Sequence, residues 1–136
     1  MSVVEFKYSK YKNHYLPIIP ILIKGSSLWH EVRVFVDSGA TYTVLEYREI
    51  ERLNIKLGND KMYVKVGDGG YIAVNIVTLP IRIGDFEFKA KIGFSKDLGV
   101  GFNILGRKNI FEKFTVCLND KNGIIKFITN DEQNHI

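Results

Sequence analysis

Cysteine is almost missing from this sequence: Cys117 stands alone. An internal disulfide and a cysteine-rich metal site are thereby excluded, and a reducing, cytoplasmic setting is the expectation. Histidine is scarce as well. His14, His30 and His135 lie far apart without the spacing of a zinc site, so no metal or other cofactor is expected. Long apolar runs are missing too. The longest near the start, Leu16 to Ile23, contains Pro17 and Pro20 and falls well short of the roughly 20 residues that span a bilayer. Met1 to Lys10 mixes Glu5 and Lys7 with aromatics, which is not the pattern of a targeting segment. No membrane partner is expected.

Nor is there a block of like charge. The net charge is +4, but Lys61, Lys65, Lys89, Lys91 and Lys108 are scattered, several of them near an acid. The one cluster, Lys7, Lys10 and Lys12 interleaved with Tyr8 and Tyr11, reads as a solvated arm, and no nucleic acid is expected as a partner. What is present suits one soluble domain: 136 residues with an apolar fraction of 46%.

The prevailing pattern is short β-rich runs divided by turn residues. Ile18 to Lys24 and Glu31 to Val36 flank Gly25-Ser26-Ser27 and read as a hairpin. Met62 to Val66 and Tyr71 to Val77 flank Gly67-Asp68-Gly69-Gly70, where Asp-Gly suits the positive φ of a tight primed turn. Ile81 to Ile83 and Phe86 to Ile92 flank Gly84-Asp85, and Phe114 to Leu118 and Ile124 to Ile128 flank Asn119 to Gly123. Two short helices are expected, over Glu46 to Leu53 with Asn54 as C-cap and over Arg107 to Phe114. Many short strands imply an all-β barrel or sandwich. Cys117, inside an apolar run, is expected to be a small core residue. Asp85 and Asp120 are read as turn residues, and Trp29 as a cap on the barrel or an interface residue.

The chemistry concentrates at Phe35-Val36-Asp37-Ser38-Gly39-Ala40-Thr41, where an apolar strand runs straight into an acid. A carboxylate in such a place needs donors. Ser38 offers a hydroxyl, and Gly39, lacking a Cβ, lets its N–H approach closely. The tripeptide alone is also what a plain Asx-turn looks like.

The longer context resembles the retropepsin-like aspartic proteases over roughly Leu16 to Phe127. The motifs are Phe35 to Ala40 followed by Thr43-Val44-Leu45, then the glycine-rich hairpin Val66 to Tyr71, then Asn103-Ile104-Leu105-Gly106-Arg107, in family order. The resemblance implies a protease domain at 16–128; the polar termini read as an arm at 1–15 and a flexible tail at 129–136. It implies a closed, acid-protease-like β-barrel that forms half of a C2 homodimer. It further implies that Asp37 is the catalytic carboxylate, paired with its symmetry mate. Two carboxylates that close cannot both stay ionised, so the pair would share a proton and activate a water on an extended peptide substrate. Ser38, Gly39, Ala40 and Gly106 would support the site. Gly67, Asp68, Gly69, Gly70 and Tyr71 would form a flap that closes over the peptide.

Two departures stand out. Thr41 occupies a position where many relatives carry an acid, which leaves Arg107 without its expected partner. Asp68 stands at the flap tip where an apolar residue is common. Two such acids above the dyad would oppose closure at neutral pH, so activity is expected to favour acidic pH. The alternatives are a dimeric peptide-binding module without catalysis and a small basic nucleic-acid-binding barrel.

Overall fold

Alternation of branched apolar and polar residues becomes strand along most of the chain. The computed structural model describes residues 2–65, 69–99 and 101–130. Twelve strands and one helix follow in the order β1 (Val3–Lys7), β2 (Ser9–Tyr11), β3 (His14–Leu16), β4 (Ile18–Lys24), β5 (Trp29–Val36), β6 (Thr43–Glu46), α1 (Glu49–Leu53), β7 (Lys61–Lys65), β8 (Tyr71–Ile83), β9 (Phe86–Ser95), β10 (Asn103–Leu105), β11 (Phe114–Asn119) and β12 (Ile124–Thr129). Among the described residues no helix is long and apolar enough to cross a membrane.

The main sheet runs β4-β5-β10-β6-β9-β8-β7, and β4 also pairs with β8 through Leu22–Arg82 and Ile23–Ile81. That pairing closes a ring of strands, with β7 attached outside it. The all-β expectation therefore holds. Period-two alternation explains the interior: Ile19, Ile21 and Ile23 of β4 and Val32, Val34 and Val36 of β5 point into one core with Ile81, Ile83, Ile92, Phe94 and Leu105.

The strands of all four expected hairpins pair; Val66 and the Gly67-Asp68 part of the second turn lie outside the described residues. The arm expected to be solvated is instead built in. β1 pairs antiparallel with β12, which also pairs with β11, and β2 and β3 make a hairpin. Phe6, Phe114 and Phe127 meet edge to face between this three-stranded sheet and Phe86 of β9. A Cβ on Gly84, at φ +59°, would lie 2.7 Å from the methyls of Val4. β1 thus rests directly on the β8–β9 turn.

Three further expectations are corrected. Glu46 ends β6, and the helix begins only at Glu49; it stops at Asn54, which takes the left-handed conformation, φ 51°. Arg107 to Phe114 makes successive turns in place of a helix, because Asn109 adopts φ 67° and interrupts the run. Cys117 is exposed, since β11 is an edge strand that turns only alternate residues inward.

Tyr8 joins the core cluster while its hydroxyl donates to Asp120 Oδ1 at 2.7 Å. Burial, then the hydrogen bond and charge of Asp120, push its phenol up to about 12. The protonated form therefore favours the folded state, and this contribution is complete below the unfolded phenol value of about 10. Stability is expected to fall as pH rises from there through about 12. Denaturation midpoints across that range should show the fall in the wild type and lose it in Tyr8→Phe.

Candidate active site

β5 carries its buried valines to the end of the strand, and the chain must then turn. Val36 N donates to Pro17 O at 2.9 Å, and Asp37 N donates to Leu105 O at 3.0 Å, so Asp37 is still anchored to β10. Ala40 N closes a turn onto Asp37 O at 3.1 Å, and Gly39 N donates to the Asp37 carboxylate at 2.9 Å. A Cβ on Gly39 would come within 3.2 Å of that same oxygen. Asp37 is half-buried, whereas Ser38 and Gly39 are exposed.

β10 lies between β5, to which it is parallel, and β6, to which it is antiparallel. The loop from Asp37 to Tyr42 must therefore cross the end of β10, and it is clamped there. Arg107 N donates to Ala40 O at 2.9 Å, Lys108 N to Thr41 O at 2.7 Å, and Gly106 N to the buried Thr43 hydroxyl at 3.0 Å. Gly106 packs so tightly that a Cβ would lie 2.3 Å from the Tyr42 carbonyl.

A cleft of about 300 Å³ opens above this turn. Asp37, Gly39 and Ala40 line one side; Val44 and Ile104 come from β6 and β10. Val64, Lys65 and Ile72 reach it from the β7–β8 hairpin, and Leu98 from the loop after β9. Val64 and Ile72 are cross-strand partners, as are Lys65 and Tyr71. The structure thus brings Asp37 together with the stem of the glycine-rich hairpin. Gly69, Gly70 and Tyr71 are exposed on its returning side, with Gly69 at φ +89°. Gly67 and Asp68 lie outside the described residues. Thr41 and Arg107 are both exposed, and Arg107 makes no ion pair among the described residues. None of the described residues forms a cluster of three or more potential metal ligands.

A larger hollow of about 680 Å³ lies elsewhere, around Arg33, Glu46, Glu49, Arg52 and Asn103, and does not include Asp37. It holds a polar knot around the buried Glu49 and Asn103 that sequence reasoning missed. Arg52 Nη1 donates to both Glu49 carboxylate oxygens at 2.7 and 2.9 Å, and Asn103 Nδ2 adds a bond at 3.3 Å. Asn103 Oδ1 accepts from Glu46 N at 2.8 Å, and its amide donates to Arg33 O at 3.2 Å. A buried carboxylate needs such partners. They tie α1 to β10 and leave no unsatisfied buried side-chain atom among the described residues. Of the acids of this hollow, Glu49 is engaged in that network and Glu46 pairs with Arg48, whereas the smaller cleft is lined by Asp37.

Comparison with known proteins bears on family and fold. A family model described as gag-polyprotein putative aspartyl protease matches residues 23–108. A retropepsin-like aspartic protease from Rickettsia conorii is similar in structure with a TM-score of 0.62 and 22% identity, covering 93% of this chain and 91% of that one. The EIAV protease complexed with the inhibitor HBY-793 gives a TM-score of 0.54 and 23% identity, over 76% of this chain and 92% of that one. No curated protein sequence matches.

Proposed function

The chain belongs to the gag-polyprotein putative aspartyl protease family, and on that premise we propose that it is a dimeric aspartic endopeptidase with Asp37 as its catalytic group. The observation that carries the proposal is the placement of the Asp37 carboxylate: held by the Gly39 N–H, at the base of a mostly apolar cleft, beneath a hairpin.

One Asp37 per chain is half of the machinery. A C2 dimer brings two together, and mutual repulsion leaves one proton on the pair. The ionised carboxylate takes a proton from a bridging water, which attacks the peptide carbonyl. The protonated carboxyl hydrogen-bonds the carbonyl oxygen and, after the proton is passed on, the amine departs. No covalent intermediate forms. Ser38, exposed beside Asp37, braces the pair across the dimer axis. Gly39 and Ala40 leave room for the substrate backbone, and the β7–β8 hairpin acts as the flap, pairing with the extended peptide and excluding water. The single cysteine suits a cytoplasmic site of action.

The rival reading is a dimeric module on the same fold that binds peptides without cutting them. Arg107, without an ion pair among the described residues and near Thr41, favours it, because the acid that partners this arginine in many relatives is replaced by threonine. Solution mass measured alongside cleavage of an unfolded protein substrate tests both. A dimer that hydrolyses it is the expected result; a stable monomer under working conditions removes the dyad, and a dimer that binds without turnover leaves the module.

A further inference from the structure

Among the described residues Lys65 is the one charged group besides Asp37 that lines the 300 Å³ cleft. Thr41 and Tyr42 add polar groups, while Val44, Val64, Ile72, Leu98 and Ile104 make most of the wall apolar and suit a bulky apolar side chain. Strand alternation sets the two kinds of residue apart. Val64 and Ile72 are partly buried, while Lys65 and its cross-strand partner Tyr71 are exposed, so the ammonium stands at the mouth of the cleft. Among the described residues Lys65 makes no ion pair. Lys61, two alternations back on the same strand face, adds positive potential and lies outside the cleft.

We infer that Lys65 is a specificity residue that selects peptides carrying an acidic side chain beside the bulky apolar residue seated in the cleft. The inference rests on the peptide-cleaving reading above and names its substrate class. An extended peptide turns successive side chains to opposite sides, so one residue fills the apolar cleft while a neighbour passes its mouth. A carboxylate there completes an ion pair that Lys65 lacks among the described residues. Asp37 lines the same cleft, but in a dyad sharing a proton the two copies carry one negative charge between them, which limits their competition for Lys65.

The test uses matched peptide pools with a central Leu or Phe flanked by Glu, Gln or Lys, with cut sites read by mass spectrometry. The wild type should favour Glu over Lys about fivefold, the scale of an exposed ion pair. Lys65→Glu should reverse the order, and raised salt should shrink both preferences. Lys61→Glu should change the preference far less. Equal preference in the wild type and Lys65→Glu overturns the inference, as does an effect of Lys61→Glu as large as that of Lys65→Glu, which would mean a diffuse field and no contact. Binding of the same pools to Asp37→Asn protein separates the two readings. A charge preference in binding that Lys65→Glu reverses, with no cleavage by the wild type, upholds Lys65 and removes the protease. Absence of any charge preference in both binding and cleavage removes Lys65.

Discussion

Asp37→Asn is expected to lower peptide hydrolysis by at least about 10²–10⁴-fold, the usual contribution of a positioned acid or base, in a protein that still folds. The amide preserves the shape of the carboxylate, and its oxygen can still accept from Gly39 N, now 2.9 Å from the Asp37 carboxylate. Asp37 N remains bound to Leu105 O through the backbone. What the variant loses is the ability to take and return a proton. Thermal midpoint and turnover measured on one preparation separate the two effects, and turnover equal to wild type would exclude the dyad. Mixing adds a sharper reading. When wild-type and Asp37→Asn chains exchange freely in equal amounts, about a quarter of the dimers hold two aspartates. If a chain worked alone, about half of the activity would remain. The quarter follows only from a shared site.

Gly106→Ala should be the most damaging small substitution near the site. Its new methyl would lie 2.3 Å from the Tyr42 carbonyl carbon and oxygen and 2.9 Å from Thr43 N. These are backbone atoms, so no side chain can swing aside, and either β10 or the 37–43 loop must move. Overpacking of this kind costs about 1–3 kcal/mol, occasionally more. Activity should fall further than stability explains, because the bonds from Arg107 N and Lys108 N that hold Ala40 and Thr41 lie in the next two residues. Gly58→Ala is the matched control, since a Cβ there meets nothing within 4 Å. Chemical denaturation and kcat/KM for the pair check the argument; a Gly106→Ala protein indistinguishable from Gly58→Ala would refute it.

The hairpins were legible in the sequence because each combines a local turn signal with period-two alternation, as at Gly84-Asp85 between Ile83 and Phe86. The Asp37 turn was legible for a similar reason: the acid, the hydroxyl and the glycine are adjacent, and their bonds are local. Features made by distant partners were not. Residues 103–105 are too short to announce a strand, and β10 exists because β5 and β6 flank it. β1 looked like a loose arm because its partner, β12, lies some 120 residues away. Nothing in Glu-Ile-Glu-Arg-Leu distinguishes Glu49, which is buried, from Glu51, which is exposed; the difference comes from Asn103 arriving beside it. Asn109 misled in the opposite way, since its left-handed backbone cancels a helix that the neighbouring side chains would favour.

The pairing of β1 with β12 also governs when the molecule can finish folding. Val3 finds its neighbour in Ile128, and Ser2 O accepts from Thr129 N at 2.9 Å. During synthesis β1 must wait for β12 to be made, with its Val and Phe side chains uncovered meanwhile. Such long-range closure slows folding, and the nascent chain is most prone to sticking to others in that interval.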